Sequence, residues 1–268
     1  MENIKIAIIG GGNLGRAIAE GLLKSGEIGA GNLTVTRRRT EFLADLEDKG
    51  VVVTKSNPEA VLSSDVIFLS VKPFQALDIL KEIKPAMDPS KTFISMVAGV
   101  GLQQLQAELG DEIPIFRAMP NTAIALQESM TCISANGTSE GKKDLVLALF
   151  NKLGETVVIP DELMGAATVI AACGIAFALR YIRAAMQGGI EIGFNAEMAQ
   201  FLTAQTVKGA TRLVMETGHH PEQEIDKVTT PRGVTITGLN EMEHKGFSSS
   251  LIQGLIASYK KIDKSLKL

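Results

Sequence analysis

The N-terminal part of the chain contains a glycine pattern of a kind that binds phosphate groups. Gly10, Gly12 and Gly15 have the spacing G-x-G-x-x-G, between an apolar run at 6–9 and an amphipathic stretch at 16–24. The apolar run predicts a buried strand and the amphipathic stretch a helix. In that setting the first glycine permits a tight turn, the second admits a pyrophosphate, and the third lets the helix pack close to the strand. The pattern predicts a dinucleotide site; an ordinary glycine turn is the alternative.

The residues after the second predicted strand, at 33–36, indicate which dinucleotide binds. An NAD site usually has Asp or Glu here, where it holds the ribose 2′-hydroxyl. This chain has Arg37, Arg38 and Arg39 instead, and its first acidic residue is Glu41, in the next predicted helix. Guanidinium groups match a 2′-phosphate in charge and geometry. The pattern favours NADPH, with NADH as the weaker candidate and a solvated basic turn as the alternative.

Strand patterns recur through the first 160 residues. They alternate with helical patterns, which is typical of a doubly wound, mostly parallel α/β sheet of the Rossmann type. The further strands are predicted at 51–54, 65–71, 92–97, 115–118, 130–134 and 156–159, with a helix at 139–152 before the last of them. Ligands of such sheets lie beyond the carboxyl ends of the strands. Residues 70–73, 98–99 and 119–122 are therefore expected on the cofactor side.

After residue 160 the strand patterns stop. Residues 161–187 predict a helix that is apolar almost all round, and further helices are predicted at 195–217, 221–227, 233–245 and 248–264. A helix without a polar face must be surrounded by protein, and in so small a domain a second subunit does this most simply. The sequence thus predicts two domains: a dinucleotide-binding domain at 1–160 and an all-helical dimerisation and substrate domain at 161–268.

The composition restricts the class of protein. The chain has 268 residues and a net charge of −3, which gives no electrostatic reason to expect nucleic acid or an anionic membrane as a partner. The longest uncharged apolar stretch, at 166–179, is shorter than the roughly 20 residues that span a bilayer. Cys132 and Cys173 are far apart in sequence, which favours free thiols in a reducing compartment. We therefore expect a soluble, cytoplasmic protein.

A second stretch that suits an anion lies at 228–239, with the sequence VTTPRGVTITGL. Pro231 ends any preceding helix and Gly233 frees the backbone before the next one. The N–H groups of a helix start suit a substrate carboxylate, and Thr235 adds a hydroxyl group. A capping turn without a ligand is the alternative. No metal is expected, because the three histidines, His219, His220 and His244, lack metal-ligand spacing.

Five segments together resemble the pyrroline-5-carboxylate reductase family. They are GGGNLG at 10–15, FLSVKP at 68–73, RAMPNTA at 117–123, QTVKGA at 205–210 and TGHHPEQEIDKVTTPRGVTITGLNEME at 217–243. The resemblance covers essentially the whole chain. It implies NADPH-dependent reduction of 1-pyrroline-5-carboxylate to L-proline, the last step of proline biosynthesis, by hydride transfer to a cyclic imine. It also implies a Rossmann domain, a helical dimerisation domain, and a homodimer that commonly assembles into a decamer, as a pentamer of dimers.

The resemblance also implies roles for single residues. Asn57 matches an asparagine that contacts the adenosine ribose, and Thr235 matches a threonine proposed to contact the ring nitrogen of the substrate. The predicted substrate residues are Gly233, Val234 and Thr235, with Thr235 as the catalytic one. The predicted cofactor residues are Gly10, Gly12, Asn13, Leu14, Gly15, Arg37, Arg38, Asn57, Val71, Lys72, Pro73, Met119, Pro120 and Asn121.

Two segments depart from the family pattern. The family's SGSGPAY is AACGIAF at 171–177, which loses the hydroxyl groups and the proline, and its PGG is Pro231-Arg232-Gly233. Two other functions remain open. One is an NADPH reductase that acts on a β-hydroxyacid or another imine, for which Lys208 is the candidate catalytic lysine. The other is a redox sensor that binds NADPH without turnover.

Overall fold

The computed structural model describes residues 3–137 and 140–266. It divides into two compact units. The first runs to Cys173 and includes the residues from Ser258 onward, and the second comprises Gly174–Ala257. The first unit therefore extends beyond residue 160, where the strand patterns stop. The division into domains at that residue stays a prediction.

Eight strands of the first unit form one sheet. They are β1 Ile6–Ile9, β2 Leu33–Thr36, β3 Val52–Thr54, β4 Val66–Leu69, β5 Thr92–Ser95, β6 Ile115–Met119, β7 Ser129–Ala135 and β8 Gly154–Val158. Their order is β3-β2-β1-β4-β5-β6-β7-β8, and neighbouring strands are parallel except β6 and β7. The predicted doubly wound, mostly parallel sheet is confirmed.

Helices cover both faces of this sheet. They are α1 Asn13–Ser25, α2 Ala44–Glu47, α3 Asn57–Leu62, α4 Pro73–Ile83, α5 Leu102–Leu109 and α6 Glu140–Asn151. In β1, Ile6 and Ile8 belong to the core formed with α1, α2 and α6, and Ala7 and Ile9 to the core formed with α3, α4 and α5. This alternation follows from the two-residue period of a strand, and both cores need apolar residues. The predicted start of α6, Ser139, lies outside the described residues.

The helix predicted at 161–187 is interrupted. A 3-10 turn, Asp161–Leu163, leads into α7, Met164–Ala167, which is followed by a π-helical stretch, Thr168–Cys173. The hydroxyl group of Thr168 donates to the carbonyl of Met164, an internal bond that often bends helices. A π-helix is an irregular turn that the apolar, alanine-rich sequence does not signal. The predicted helix is therefore present, but its first part is irregular in a way that the sequence did not predict.

The second unit is helical throughout. Its helices are α8 Gly174–Glu191, α9 Ala196–Thr217, α10 Pro221–Lys227, α11 Val234–His244 and the first part of α12 Phe247–Leu266. The predicted helix end at Gly218 is confirmed, with a φ of +67° at this glycine. Helices α8 and α9 are in close contact at Gly189, where an added Cβ would lie 3.1 Å from that of Ala199.

Large apolar side chains of the second unit are exposed. Leu179, Phe201 and Met215 are 57%, 66% and 69% exposed. In the helical stretch Asp161–Glu191, the most apolar 18 residues have a mean hydropathy of 1.9, so this stretch is long and apolar enough to cross a membrane by length and composition alone. It is longer than the uncharged stretch at 166–179 suggested. Only 22% of its most apolar part is buried within the chain. These surfaces need a covering that one chain does not provide.

Candidate functional site

The loop between β1 and α1 has the close backbone contacts of a dinucleotide fingerprint. Gly10 has a φ of +104°, and a Cβ at this position would lie 2.3 Å from the carbonyl oxygen of Ser70. A Cβ on Gly15 would lie 2.2 Å from the carbonyl oxygen of Gly10. Both positions therefore require glycine. A Cβ on Gly12 would meet no atom within 4 Å, so space beside this backbone is open to a ligand.

The start of α1 offers free N–H groups. Gly12 is the N-cap residue, and no side chain of the residues that the structure describes caps this end of the helix. Asn13 is exposed and Leu14 half-buried. Uncapped first-turn N–H groups and the positive end of the helix dipole together stabilise a phosphate group. The residues present thus fit the pyrophosphate of a nicotinamide dinucleotide.

A short hydrogen-bond chain connects the glycine loop to Asn57. The hydroxyl group of Thr36, at the end of β2, accepts from the Gly10 N–H at 3.2 Å and donates to Oδ1 of Asn57 at 2.6 Å. The Asn57 amide group donates in turn to Glu82 at 3.1 Å. Asn57 is therefore fixed beside the phosphate loop, at the end of β2 where a Rossmann sheet holds the adenosine ribose.

The arginine run after β2 does not act as three equivalent cations. Arg37 donates from Nη1 to the carbonyl oxygen of Gly11 at 2.8 Å. The guanidinium carbons of Arg37 and Arg39 lie 4.7 and 4.5 Å from the ring centroid of Phe42. Arg38 is exposed. The sequence-based site prediction lists Arg37 and Arg38 from this run but not Arg39 or Phe42, whose only signal was an aromatic residue in the turn after the arginines.

Arg16 holds the turn that carries Phe42. This side chain of α1 donates to the Phe42 carbonyl oxygen at 3.1 Å and forms ion pairs with Asp45 and with Glu20. The hydrogen bond from Arg16 holds the pKa of the Asp45 carboxyl group below its ordinary value. Because both carboxylates bind Arg16, its charge is neutralised within the protein.

The loop after β4 borders the same turn. A Cβ on Gly10 would lie 2.6 Å from Cγ1 of Val71, so this valine closes one side of the glycine loop. Lys72 and Pro73 are exposed, and the Lys72 N–H donates to the Gln75 side chain at 3.4 Å at the start of α4. These residues lie at the carboxyl end of β4, as the sequence predicted.

The loop after β6 is fixed by Asn121. Met119 and Pro120 are buried ahead of it. The Asn121 N–H donates to the Ser129 hydroxyl group at 3.1 Å, and its side-chain amide group donates to the carbonyl oxygen of Ala171 at 3.2 Å. This last bond reaches the π-helical stretch, where irregular backbone provides acceptors outside the helical ladder. The predicted nicotinamide loop is therefore held rigidly within the first unit.

A buried ion pair that sequence reasoning missed lies next to this loop. Arg117 of β6 is 6% exposed, and its Nη1 lies 2.6 Å from Oδ1 of Asp161. The same carboxylate accepts from the Ser134 hydroxyl group at 2.7 Å and from the Leu102 N–H at 3.3 Å. Nε of Arg117 has no hydrogen-bond partner. The sequence separation of the two charged residues left no local pattern to predict the pair.

In the second unit, the predicted substrate residues begin α11. Gly233 is the N-cap, and within the described part of the chain no side chain accepts from the first N–H groups of this helix. Val234 is 89% exposed and Thr235 is half-buried. The left-handed residue is Arg232, with a φ of +59°, whereas a Cβ on Gly233 would lie 2.5 Å from Oγ1 of Thr230. Gly233 is thus needed for close approach rather than for an unusual φ, which corrects the sequence-based interpretation.

The histidines of the loop before α10 have contacts within the protein. Nδ1 of His219 lies 2.6 Å from Glu224, and Lys227 lies 2.7 Å from the same carboxylate. Hydrogen bonds from Lys227 and His219 lower the pKa of Glu224. The His220 ring accepts from the Glu222 N–H and caps α10. Lys208, the candidate lysine of the hydroxyacid alternative, is exposed on α9.

The first unit is a dinucleotide-binding unit of the oxidoreductase type. Comparison with known proteins extends this. A family model described as pyrroline-5-carboxylate reductase dimerisation matches residues 161–265, and one described as NADP oxidoreductase, coenzyme F420-dependent, matches residues 5–99. Among curated relatives, pyrroline-5-carboxylate reductase 1 of Dictyostelium discoideum is 44% identical over 94% of this chain, which spans about half (48%) of that relative. Pyrroline-5-carboxylate reductase 2 of the same organism is 41% identical over 98% of this chain and 94% of its own length.

Solved structures agree with the sequence comparison. A Plasmodium falciparum pyrroline carboxylate reductase with NADP bound has a TM-score of 0.92 at 28% identity, with 99% of each chain covered. A pyrroline-5-carboxylate reductase from Coxiella burnetii has a TM-score of 0.87 at 28% identity over 98% of this chain and 99% of its own. The chain belongs to the pyrroline-5-carboxylate reductase family.

Proposed function

We infer that the protein reduces 1-pyrroline-5-carboxylate to L-proline with NADPH, the last step of proline biosynthesis. The observation that carries this proposal is the open glycine loop, followed by arginines instead of an acidic residue, in a chain of the pyrroline-5-carboxylate reductase family. The cofactor supplies the hydride when it is bound, and the protein binds, orients and shields the reactants.

The first unit holds the cofactor. The start of α1 binds the pyrophosphate with the N–H groups of Asn13 and Leu14, beside the open backbone of Gly12. Asn57 is placed for the adenosine ribose, and the loops at 71–73 and 119–121 flank the nicotinamide. The hydrogen bonds of Asn121 keep the last of these loops in one conformation, which favours a fixed position of the hydride donor.

The start of α11 holds the substrate carboxylate. Its uncapped N–H groups at Val234 and Thr235, next to Gly233, attract an anion in the same way as those of α1. The Thr235 hydroxyl group hydrogen-bonds to the ring nitrogen and orients the C=N bond. A protonated imine is already a strong electrophile, so the reaction needs no strong general acid from the protein.

The proposed assembly is a homodimer in the cytoplasm, formed through the helical region, with a decamer of five dimers as the larger form. The dimerisation model at 161–265 and the exposed apolar residues of α8 and α9 support it. A second chain would cover the apolar side chains that α8 and α9 leave exposed.

The loss of NADPH absorbance after addition of racemic 1-pyrroline-5-carboxylate tests the reaction. We expect rapid oxidation with NADPH, slower oxidation with NADH, and a kcat/KM about 100-fold lower for Thr235→Ala, because one hydrogen bond to the reacting group is lost. Thr237→Ala is the matched control, because Thr237 is two residues further along α11, on another side of the helix, and its hydroxyl group donates back to the Gly233 carbonyl.

The outcomes separate the proposals. Full activity of Thr235→Ala would support the proposed reaction but contradict the assignment of Thr235 to the substrate site. No turnover of the imine in spite of tight NADPH binding would favour the redox sensor over the reductase.

A further inference from the structure

Two guanidinium groups beside the glycine loop share one aromatic ring. Those of Arg37 and Arg39 lie 4.7 and 4.5 Å from the ring centroid of Phe42. Phe42 is 45% exposed, so the contacts lie at the surface and are accessible to a ligand. A guanidinium group over an aromatic ring is held by the ring's negative face and by flat stacking, which restricts its orientation.

Neither of these guanidinium groups has a carboxylate partner in the part of the chain that the structure describes. Of the nearby carboxylates, Glu20 and Asp45 are paired with Arg16, and Glu41 makes no ion pair with either arginine among the described residues. Arg37 donates only to a neutral group, the carbonyl oxygen of Gly11. Two like charges that share a ring repel each other. A dianion bound at this place would offset that repulsion and accept charge-assisted hydrogen bonds from both groups.

The ring that holds the two arginines is itself fixed. Arg16 donates to the backbone carbonyl of Phe42 at 3.1 Å, so α1 anchors the turn that follows the arginine run. The next residue, Leu43, is fully buried in the core. The backbone at Phe42 is therefore held by α1 and by the core at the same time, which makes its ring a fixed support for the two arginine side chains.

We propose that Phe42 is a positioning residue for cofactor choice: its ring holds Arg37 and Arg39 as a pair that binds the 2′-phosphate of NADPH. Arg39, not Arg38, is then the second ligand of that phosphate. Arg38 is exposed and makes no ring contact among the described residues. The inference rests on the NADPH dependence of the proposed function and is independent of the imine substrate.

Calorimetric titration with two adenosine fragments isolates this contact. The fragments 2′,5′-ADP and 5′-AMP differ only in the 2′-phosphate, so the ratio of their dissociation constants reports recognition of that group. For Phe42→Leu we expect 2′,5′-ADP to bind about tenfold more weakly, with 5′-AMP changed less than about twofold. Phe42→Tyr keeps the ring and should stay within about twofold of the wild-type ratio.

Single charge removals decide between the two candidate arginines. Arg39→Gln should weaken 2′,5′-ADP by about tenfold and Arg38→Gln by less than about threefold. Lys24→Gln, at the other end of α1, controls for net charge. An unchanged ratio in Phe42→Leu, an equal loss of both fragments, or a larger effect of Arg38→Gln than of Arg39→Gln would overturn the proposal. If Phe42→Leu does not fold, the two arginine variants still decide. Failure of imine reduction would leave these results unaffected.

Discussion

The two units of the chain bury their apolar residues in different ways. In the first unit, β1, β4, β5 and β6 are buried along their whole length. In the second unit, α8, α10 and α11 contain no buried residue, and α9 contains one, Ala199. Both units are nevertheless rich in apolar side chains. One chain is therefore sufficient to bury the core of the first unit, whereas the apolar side chains of the helical unit stay exposed until another molecule covers them.

The helical unit also contains an apolar groove that is open to a second molecule. A cavity of about 670 Å³ within this unit is lined by Phe177, Tyr181, Val207, Phe247 and Leu251, among other residues. Tyr181 and Phe247 are in edge contact, with ring centroids 6.4 Å apart. Aromatic and aliphatic side chains around an open groove are typical of the central part of an interface. The groove is thus consistent with the dimerisation model that matches this region.

The largest effect should come from the buried ion pair of the first unit. Asp161→Ala leaves the Arg117 guanidinium group buried without its carboxylate, which costs about 3–5 kcal/mol of the free energy of unfolding. Urea unfolding followed by circular dichroism measures this, and the loss should not depend on protein concentration. Glu162→Ala, at the exposed neighbouring residue, is the control. A loss of less than about 1 kcal/mol would mean that water compensates Arg117, and that the pair does not hold residues 161–173 to the sheet.

The next effect separates stability from binding within the glycine loop. Gly15→Ala places a Cβ against the Gly10 carbonyl and should cost about 3 kcal/mol, near the upper end for overpacking. Gly12→Ala has open space around the new Cβ, so its unfolding free energy should hardly change. Its affinity for NADPH should instead fall about tenfold or more, because the methyl group occupies the path of the pyrophosphate.

Thermal unfolding and NADPH titration by fluorescence measure the two variants side by side. If Gly12→Ala bound NADPH like the wild type, the pyrophosphate would not pass over this backbone. An equal loss of stability in both variants would contradict the open space beside Gly12.

In the helical unit, a substitution in the apolar groove should weaken dimer formation. Leu251→Glu puts a charge into the apolar groove and should raise the dimer dissociation constant about 100-fold, or roughly 2.7 kcal/mol. Leu62→Glu is the matched control, because Leu62 is an exposed leucine of the first unit, 64% exposed against 44% for Leu251. Sedimentation velocity measures the dissociation, and the melting temperature should become more dependent on concentration. An unaltered assembly of Leu251→Glu would place the dimer contact on another helical face.

The sequence was informative where a local pattern repeats. Short apolar runs predicted all eight strands of the sheet, because β-strand burial has a short period that a few residues are enough to show. The glycine spacing predicted the open loop at Gly12 for the same reason: each glycine has a local steric cause. The start of α11 was also foreseen, since Pro231 and Gly233 are strong local signals.

The sequence was uninformative where contacts join distant residues. The Arg117–Asp161 pair and the bond from Asn121 to Ala171 connect different elements, and neither residue type reveals its partner. The π-helical stretch has no local sequence signal either, so it was missed as well. The arginine run shows that sequence alone is limited even between neighbouring residues. Its composition predicted a phosphate site, but only the contact with the Phe42 ring distinguishes Arg39 from Arg38.

The smallest effect concerns the ion pair between Arg16 and Asp45, which holds the turn that carries Phe42, and it depends on pH. Because the hydrogen bond from Arg16 lowers the pKa of Asp45, the folded protein binds this proton less readily than the unfolded chain. The resulting stabilisation is fully present above the ordinary pKa of an aspartate and is lost as the pH falls through the lower folded value. Asp45→Asn removes this contribution, so its stability should fall less steeply than that of the wild type between about pH 5 and pH 2.

Urea unfolding at a series of pH values tests this, with Asp88→Asn as the control. Asp88 also has a lowered pKa, but its cause is a hydrogen bond from Ser90, away from the arginine cluster. At neutral pH, Asp45→Asn should in addition weaken 2′,5′-ADP slightly more than 5′-AMP, because a less firmly held Arg16 loosens the Phe42 turn, and Asp88→Asn should not. The same loss of 2′,5′-ADP affinity in both variants would show that Asp45 contributes only to the general stability of the unit. The turn that carries Phe42 would then be fixed by the burial of Leu43 alone.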